Sequence, residues 1–183
     1  MSARIIRSFP LLAGLGLALS PAAARADEVF AGVYKHAIDT PFTLYTGESG
    51  ADIELGYRFA RQDALRIIGR PAPYVIASVN TRGDTSFAGA GLSWKIGKGP
   101  VYFRPGLGLV VQDGPLPRYA ADGRRTDLGS RVLFEPELAL GTRLSDKVAI
   151  EASWTHVSHA RLFNWRQNPG IDMMGVRLAF ALQ

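Results

Sequence analysis

The fold class is indicated by one segment near the end of the sequence, Gly175-Val176-Arg177-Leu178-Ala179-Phe180-Ala181-Leu182. In this segment large apolar side chains alternate without a break with small or charged ones. Large apolar residues occupy every second position: Val176, Leu178, Phe180 and Leu182. The positions between them hold small residues and one charge: Gly175, Arg177, Ala179 and Ala181. Successive side chains of a β-strand point to opposite faces, so this pattern predicts a strand with one fully apolar face.

Seven more segments upstream also have the character of strands, and each is bounded by Gly, Pro, Asp or Asn. The eight predicted strands cover residues 28–35, 50–59, 72–81, 85–96, 99–111, 130–143, 147–158 and 171–182. Helical periodicity is weak, and residues 63–68 are expected to form one helical turn at most. The sequence contains no linker, so a single domain is expected after the N-terminal segment.

The polar faces of the predicted strands carry charges of both signs: Arg104, Glu135, Glu137, Glu151 and Arg177. A membrane barrel turns its apolar face to lipid, and the narrow lumen of eight strands is packed with side chains. The predicted fold is therefore all-β, an eight-stranded antiparallel transmembrane β-barrel of the bacterial outer membrane. The alternative is a soluble periplasmic barrel that carries lipid inside and exposes its charges to water.

Residues 1–26 have the pattern of a secretory signal peptide, with Arg4 and Arg7 before a short apolar run and Ala24-Arg25-Ala26 as the cleavage site. Three of the 21 basic residues and none of the 16 acidic ones lie there, so cleavage lowers the net charge from +5 to +2. This small charge removes the compositional support for a nucleic-acid partner. The chain has no cysteine, so disulfides cannot stabilise it.

The connections agree with a barrel whose termini face the periplasm, because outside loops are usually long and periplasmic turns short. The long connections 36–49, 112–129 and 159–170 would lie outside, and the short turns 97–98 and 144–146 in the periplasm. Two connections fit less well: residues 60–71 are long for a periplasmic turn, and residues 82–84 are short for an outside loop.

The candidate site lies in the last predicted hairpin, where Trp154-Thr155-His156-Val157-Ser158-His159-Ala160 precedes Asn168-Pro169-Gly170-Ile171-Asp172. His156 and Ser158 share a face of their strand, and the alternation makes it the lipid-directed one. Asp172 has the lipid-directed parity of the next strand, so the hairpin would place it beside His156. Polar groups in hydrocarbon are costly unless they bond one another, lie near the interface or act on a lipid. The plainer alternative is a set of interfacial polar residues that close a strand.

This stretch resembles the PagL family of lipid A 3-O-deacylases, whose last hairpin carries His-x-Ser-Asn-Ala followed by Asn-x-Gly-Ile-Glu. The resemblance implies Ser158 as nucleophile, His156 as general base and Asp172 as the acid that orients the base. It also implies lipid A, within lipopolysaccharide, as substrate, a site toward the outer leaflet, and chemistry without a cofactor or metal. A second copy of the chain is a further candidate partner.

Two positions depart from the family pattern, since Asp172 replaces the usual Glu and His159 replaces the Asn after the nucleophile. We therefore take His159 and Asn168 as candidates for oxyanion binding or support. Arg161 and Arg166 in the same loop are candidates for the phosphates of lipid A, because guanidinium groups bind phosphate bidentately. The competing function is a structural barrel without enzymatic activity.

Overall fold

The computed structural model describes residues 27–43, 45–97, 99–114, 128–163 and 168–182, which form a closed antiparallel β-barrel. Within these residues the strands are β1 Glu28–Lys35, β2 Ala51–Arg58, β3 Ala72–Asn80, β4 Phe87–Ser93, β5 Val101–Gln112, β6 Val132–Arg143, β7 Val148–Val157 and β8 Ile171–Ala181. Each strand pairs with the next, and β8 pairs with β1, so the sheet has no open edge. The prediction of eight strands is confirmed. β4 is shorter than predicted, because after Ser93 it continues only as one bridge between Ile96 and Phe103.

The two faces of the wall have the predicted alternation. In β8, Val176 is 51% exposed whereas its neighbour Arg177 is 1% exposed. In β2, Ile53 and Leu55 point outward, and the acid between them, Glu54, is buried. An apolar outer surface around a polar interior is the arrangement of a membrane barrel.

Ion pairs fill the interior that the structure describes. Arg177 binds Glu137 through two hydrogen bonds of 2.5 and 2.6 Å, and its Nε donates to Glu151 at 2.6 Å. Arg104 donates to the same Glu151 at 2.9 Å. Buried charges are tolerated when each has a hydrogen-bonded partner, and this network provides one. Such an interior does not suit an apolar cargo, so the alternative of a lipid carrier is not supported.

The strand directions place the predicted site at the end of the barrel opposite the described termini. β1 starts and β8 ends at one rim, whereas the end of β7 and the start of β8 lie at the other. Residues 1–26 lie outside the described residues, so the signal peptide stays a prediction. No helix in the described part of the chain is long and apolar enough to span a membrane.

Single cysteines introduced into β8 test the direction of its faces, because the chain has no cysteine of its own. We expect environment-sensitive labels at positions 176, 178 and 180 in vesicles to report hydrocarbon, since those side chains face outward. Labels at 177 and 179 should report a packed or polar surrounding, or fail to react. The reverse pattern in the emission spectra would contradict a lipid-facing apolar wall.

Candidate active site

The last hairpin brings His156 and Asp172 together. The two residues are direct cross-strand partners of β7 and β8, and both belong to the outward parity. Nδ1 of His156 lies 2.6 Å from Oδ1 of Asp172. The Asp172 side chain is fully buried and that of His156 is 13% exposed. Because the carboxylate takes Nδ1, Nε2 is the ring nitrogen left to act as a base.

Ser158 continues the register of β7 one step beyond the regular strand. Its backbone N–H donates to the carbonyl of Phe134 at 3.1 Å, and the Phe134 N–H donates back at 2.7 Å. The bridge keeps strand parity, so Ser158 belongs to the same face as His156. No hydrogen bond joins these two side chains in the described structure. In enzymes without substrate such a bond is often long and tightens only when substrate binds.

The loop after β1 completes the surroundings of Asp172. The backbone turns at Ala37, whose φ is 50°, and the N–H of Ile38 then donates to the Asp172 carbonyl at 2.8 Å. The Thr40 hydroxyl donates to Oδ2 of Asp172. Both carboxylate oxygens therefore have partners, which holds the acid in one orientation. Sequence reasoning missed Thr40, since no periodicity links a loop residue to a strand that begins 131 positions later.

Aromatic rings lie near the His156 imidazole on the outer wall. The Trp154 ring is stacked on the His156 ring, with centroids 6.0 Å apart and planes inclined by 27°. Phe42, from the same loop as Thr40, contacts Trp154 at a centroid distance of 6.2 Å. These contacts restrict the rotation of the imidazole. They also bring apolar surface directly beside it.

A buried ion cluster anchors the start of this loop at the rim. His36, the residue after β1, contacts Asp52 through Nδ1 at 2.8 Å and Glu48 through Nε2 at 2.9 Å. Burial alone would lower the pKa of His36, but the hydrogen bonds to Asp52 and Glu48 outweigh it and raise the pKa to about 9. His36 is therefore a cation at neutral pH between two acids, four positions before Thr40.

Comparison with known proteins identifies the family. The profile of the lipid A 3-O-deacylase (PagL) family matches residues 53–181. The chain belongs to this family. No curated protein sequence matches the chain.

Two solved structures share the fold. The crystal structure of the outer membrane enzyme PagL has a TM-score of 0.59 and 17% identity, and the match covers 85% of this chain and 99% of that one. Neisserial surface protein A has a TM-score of 0.55 and 10% identity, with 85% and 97% covered. At these identities the two structures support the fold alone. Family and fold together place this PagL-family chain in the outer membrane, as an enzyme of the lipid A deacylase type.

The glycine of the PagL motif, Gly170, stands where the backbone conformation and the nearby His156 ring leave no room for a side chain. Its φ is +68°, and a Cβ built on it would lie 2.6 Å from Cε1 of His156. We expect Gly170→Ala to reduce kcat by about 10²-fold, because the added Cβ would displace His156, which is predicted to act as general base, and a shift of about 1 Å at such a group is that costly. Steady-state assays on folded protein measure the loss.

Gly83→Ala is the matched control for this change. Its φ is +79°, yet nothing lies within 4 Å of the added Cβ, so it has the backbone strain without the clash. We expect near-normal activity from this variant. An equal loss in both variants would show that backbone strain, rather than contact with His156, explains the effect.

The other predicted site residues lie in the loop between β7 and β8. The N–H of His159 donates to Oδ1 of Asn168 at 2.9 Å, so Asn168 supports the segment that follows Ser158. The His159 ring is buried beside Phe163, and neither ring nitrogen has a hydrogen-bond partner among the described residues. Arg161 is exposed next to these residues, whereas Arg166 lies outside the described residues.

Proposed function

We propose that this chain hydrolyses the ester-linked acyl chain at the 3-position of lipid A, with Ser158, His156 and Asp172 as its catalytic triad. The observation that carries the proposal is the hydrogen bond between His156 and the buried Asp172 on the lipid-facing wall of a PagL-family barrel. A buried acid holding an outward-facing imidazole is the arrangement that activates a serine.

In the proposed reaction, Oγ of Ser158 attacks the ester carbonyl carbon while Nε2 of His156 takes the hydroxyl proton. Asp172 accepts a hydrogen bond from Nδ1 and stabilises the imidazolium that forms. The tetrahedral intermediate then collapses and breaks the bond to the sugar 3-oxygen, and His156 gives its proton to that oxygen so that it leaves as a hydroxyl. Water, deprotonated by the same imidazole, then attacks the acyl-serine. Collapse of the resulting intermediate releases the fatty acid, and His156 returns the proton to Oγ of Ser158.

The oxyanion needs N–H donors, and we assign this role to the backbone just after Ser158. Ala160 and Arg161 have φ values of 51° and 62°, a conformation that residues with a Cβ rarely adopt. Strained backbone of this kind is often found at functional sites. The N–H of His159 is engaged by Asn168, so the N–H groups of Ala160 and Arg161 are the better candidates.

An apolar groove on the outer wall suits the acyl chain of the proposed substrate. It has a volume of about 370 Å³ and is lined by side chains that include Phe103, Leu138, Leu140, Ala152, Trp154 and Met174. Trp154 forms part of this groove and also stacks on His156, so the groove adjoins the base. Arg161 and Arg166 remain proposed contacts for lipid A phosphates, and pairing of two copies stays a prediction.

Mass spectrometry of lipid A tests the function directly. Cells that express the chain should contain lipid A lighter by one 3-linked acyl group than cells that express Ser158→Ala. Unchanged lipid A in both, with the barrel present and folded in the outer membrane, would favour the structural barrel without enzymatic activity.

Removal of the Thr40 hydroxyl should weaken the triad without removing any member of it. Valine matches threonine in shape, so Thr40→Val removes only the hydroxyl, which donates to Asp172 and accepts from the Phe42 N–H at 3.1 Å. A hydrogen bond to a charged group such as Asp172 is worth about 1.5–3 kcal/mol. We expect kcat to fall by about tenfold while KM changes little. Thr40→Ser keeps the hydroxyl and should restore kcat, whereas equal losses in both variants would show that Thr40 acts through packing.

A further inference from the structure

The connection between β2 and β3 contains an exposed apolar group that deacylation does not explain. It folds into the 3₁₀ helix Asp63–Ile68, in which Ile67 is 92% exposed. Backbone hydrogen bonds close the connection on itself, since the N–H of Gln62 donates to the Pro71 carbonyl at 2.9 Å and that of Arg70 to the Leu65 carbonyl at 3.1 Å. Ile68 beside it is 47% exposed, so the connection presents two adjacent isoleucines rather than a single one.

The 3₁₀ helix is attached to the lipid-facing side of the barrel. Trp94 follows β4 with the outward parity of Ala90 and Leu92, and its Nε1 donates to the Ile68 carbonyl at 2.6 Å. A Cβ on Gly69 would lie 3.3 Å from the Trp94 ring, so the backbone packs against that ring. The end of the 3₁₀ helix therefore lies against the outer wall, whereas Ala60 and Arg61, before the helix, line a cavity with lumen residues that include Arg58 and Arg104.

The wall is short where the helix is attached. β2 has 8 residues and β3 has 9, compared with 12 each in β5 and β6. A tilted strand needs about 9–11 residues to cross the hydrocarbon of a membrane. The pairing of β3 with β4 ends at Ala72 and Ser93, one residue before Trp94. Ile67 and Ile68 thus add apolar surface beside the place where the wall ends.

The same segment is basic and lies at the periplasmic rim. Residues 61–70 contain three arginines and one acid, a net charge of +2. Arg61 donates to the carbonyls of Gly69 and Arg70, and Arg70 pairs with Asp63 at 3.1 Å. Arg66 is exposed and forms no ion pair with any residue that the structure describes. The rim is the one at which the described chain begins and ends, which is the periplasmic side in barrels of this class.

We propose that residues 61–70 form an anchor on the periplasmic leaflet, in which Ile67 and Ile68 enter the membrane and Arg66 binds the phosphate of an anionic glycerophospholipid. Apolar side chains beside exposed arginines are typical of segments that lie in a membrane interface. The anchor extends the lipid-facing belt where β2 and β3 are short and fixes the depth of that rim, which reduces the mismatch with the bilayer. It is independent of the deacylase proposal.

Fluorescence quenching tests the apolar part of the anchor. The mature chain with Ile67→Cys carries a bimane label and is refolded into vesicles that contain phospholipids with brominated acyl chains. We expect quenching several-fold stronger than for the same label at Asp146→Cys, an exposed position in the β6–β7 turn at the same rim. Equal quenching at the two positions overturns the proposal.

The lipid headgroup is tested in the same vesicles, with and without phosphatidylglycerol. Phosphatidylglycerol should strengthen quenching at position 67, and Arg66→Gln should remove this increase. Arg82→Gln, which changes an exposed arginine at the opposite rim, should leave the increase intact. If phosphatidylglycerol does not strengthen the quenching, or if Arg66→Gln leaves the increase unchanged, the assignment of an anionic lipid is overturned. Efficient disulfide cross-linking of Ile67→Cys between two chains would show that Ile67 contacts a second copy instead of lipid, and it would overturn the membrane anchor.

Discussion

Ser158→Ala should lower kcat for lipid A deacylation on the order of 10⁶-fold, the loss seen when a serine hydrolase loses its nucleophile. The hydroxyl is the group that becomes acylated, and no other described hydroxyl shares the outer face with His156 at this spacing. Folding should be unaffected, because the hydrogen bonds of Ser158 to other described residues are made by its backbone, and alanine keeps them. Mass spectrometry of lipid A measures the activity, and heat-modifiable gel mobility reports the folded barrel.

A fluorophosphonate probe separates loss of the nucleophile from loss of substrate binding. The unaltered chain should react covalently at Ser158, and Ser158→Ala should not react. Ser130→Ala changes another serine at the same rim, just before β6, and should keep both labelling and activity. Deacylation by Ser158→Ala near the normal rate would remove Ser158 as the nucleophile.

The wall of the barrel could be predicted from the sequence because membrane strands have a strict period of two. Alternation in residues 175–182 determined which side chains of β8 face outward, and the same parity placed His156 and Asp172 on one surface. A hairpin then brings such residues opposite one another without long-range information. The hydrogen-bonded pair of His156 and Asp172, 2.6 Å apart, is therefore the part of the site that could be predicted from the local sequence pattern.

The parts that sequence reasoning missed depend on loops, which have no period. The contact of Thr40 with Asp172 depends on the turn at Ala37 and on the loop after β1 lying against β8. The closeness of Gly170 to the His156 ring depends on rotamer and backbone geometry together. His159 replaces the family's Asn and is a candidate for oxyanion binding or support. Its backbone N–H donates to Asn168 and its ring is buried, two contacts that the sequence pattern did not indicate, and its role at the oxyanion stays a prediction.

Asp172→Asn should lower kcat on the order of 10⁴-fold, as in other triads in which this acid becomes an amide. The asparagine can face His156 in either of two ways. If its NH₂ group donates to Nδ1, the imidazole carries its proton on Nε2 and cannot accept one from Ser158. If its oxygen instead accepts from Nδ1, its NH₂ group donates to the Thr40 hydroxyl. The imidazole then keeps its proton on Nδ1, as catalysis requires, but no negative charge stabilises the imidazolium. Both orientations reduce the rate.

Two further variants show whether Asp172 acts by position and charge. Asp172→Glu restores the residue of the family motif and should keep measurable activity, although the longer side chain must displace Thr40 because Asp172 is fully buried. Asp39→Asn alters an exposed acid in the loop that carries Thr40, and it should leave kcat nearly unchanged.

Glu151 points into the lumen, where it pairs with Arg104 and Arg177 far from the outer face. If Asp172→Asn were nearly silent while Glu151→Gln was folded but inactive, the catalytic acid would lie inside the barrel and the lipid-facing triad would be wrong.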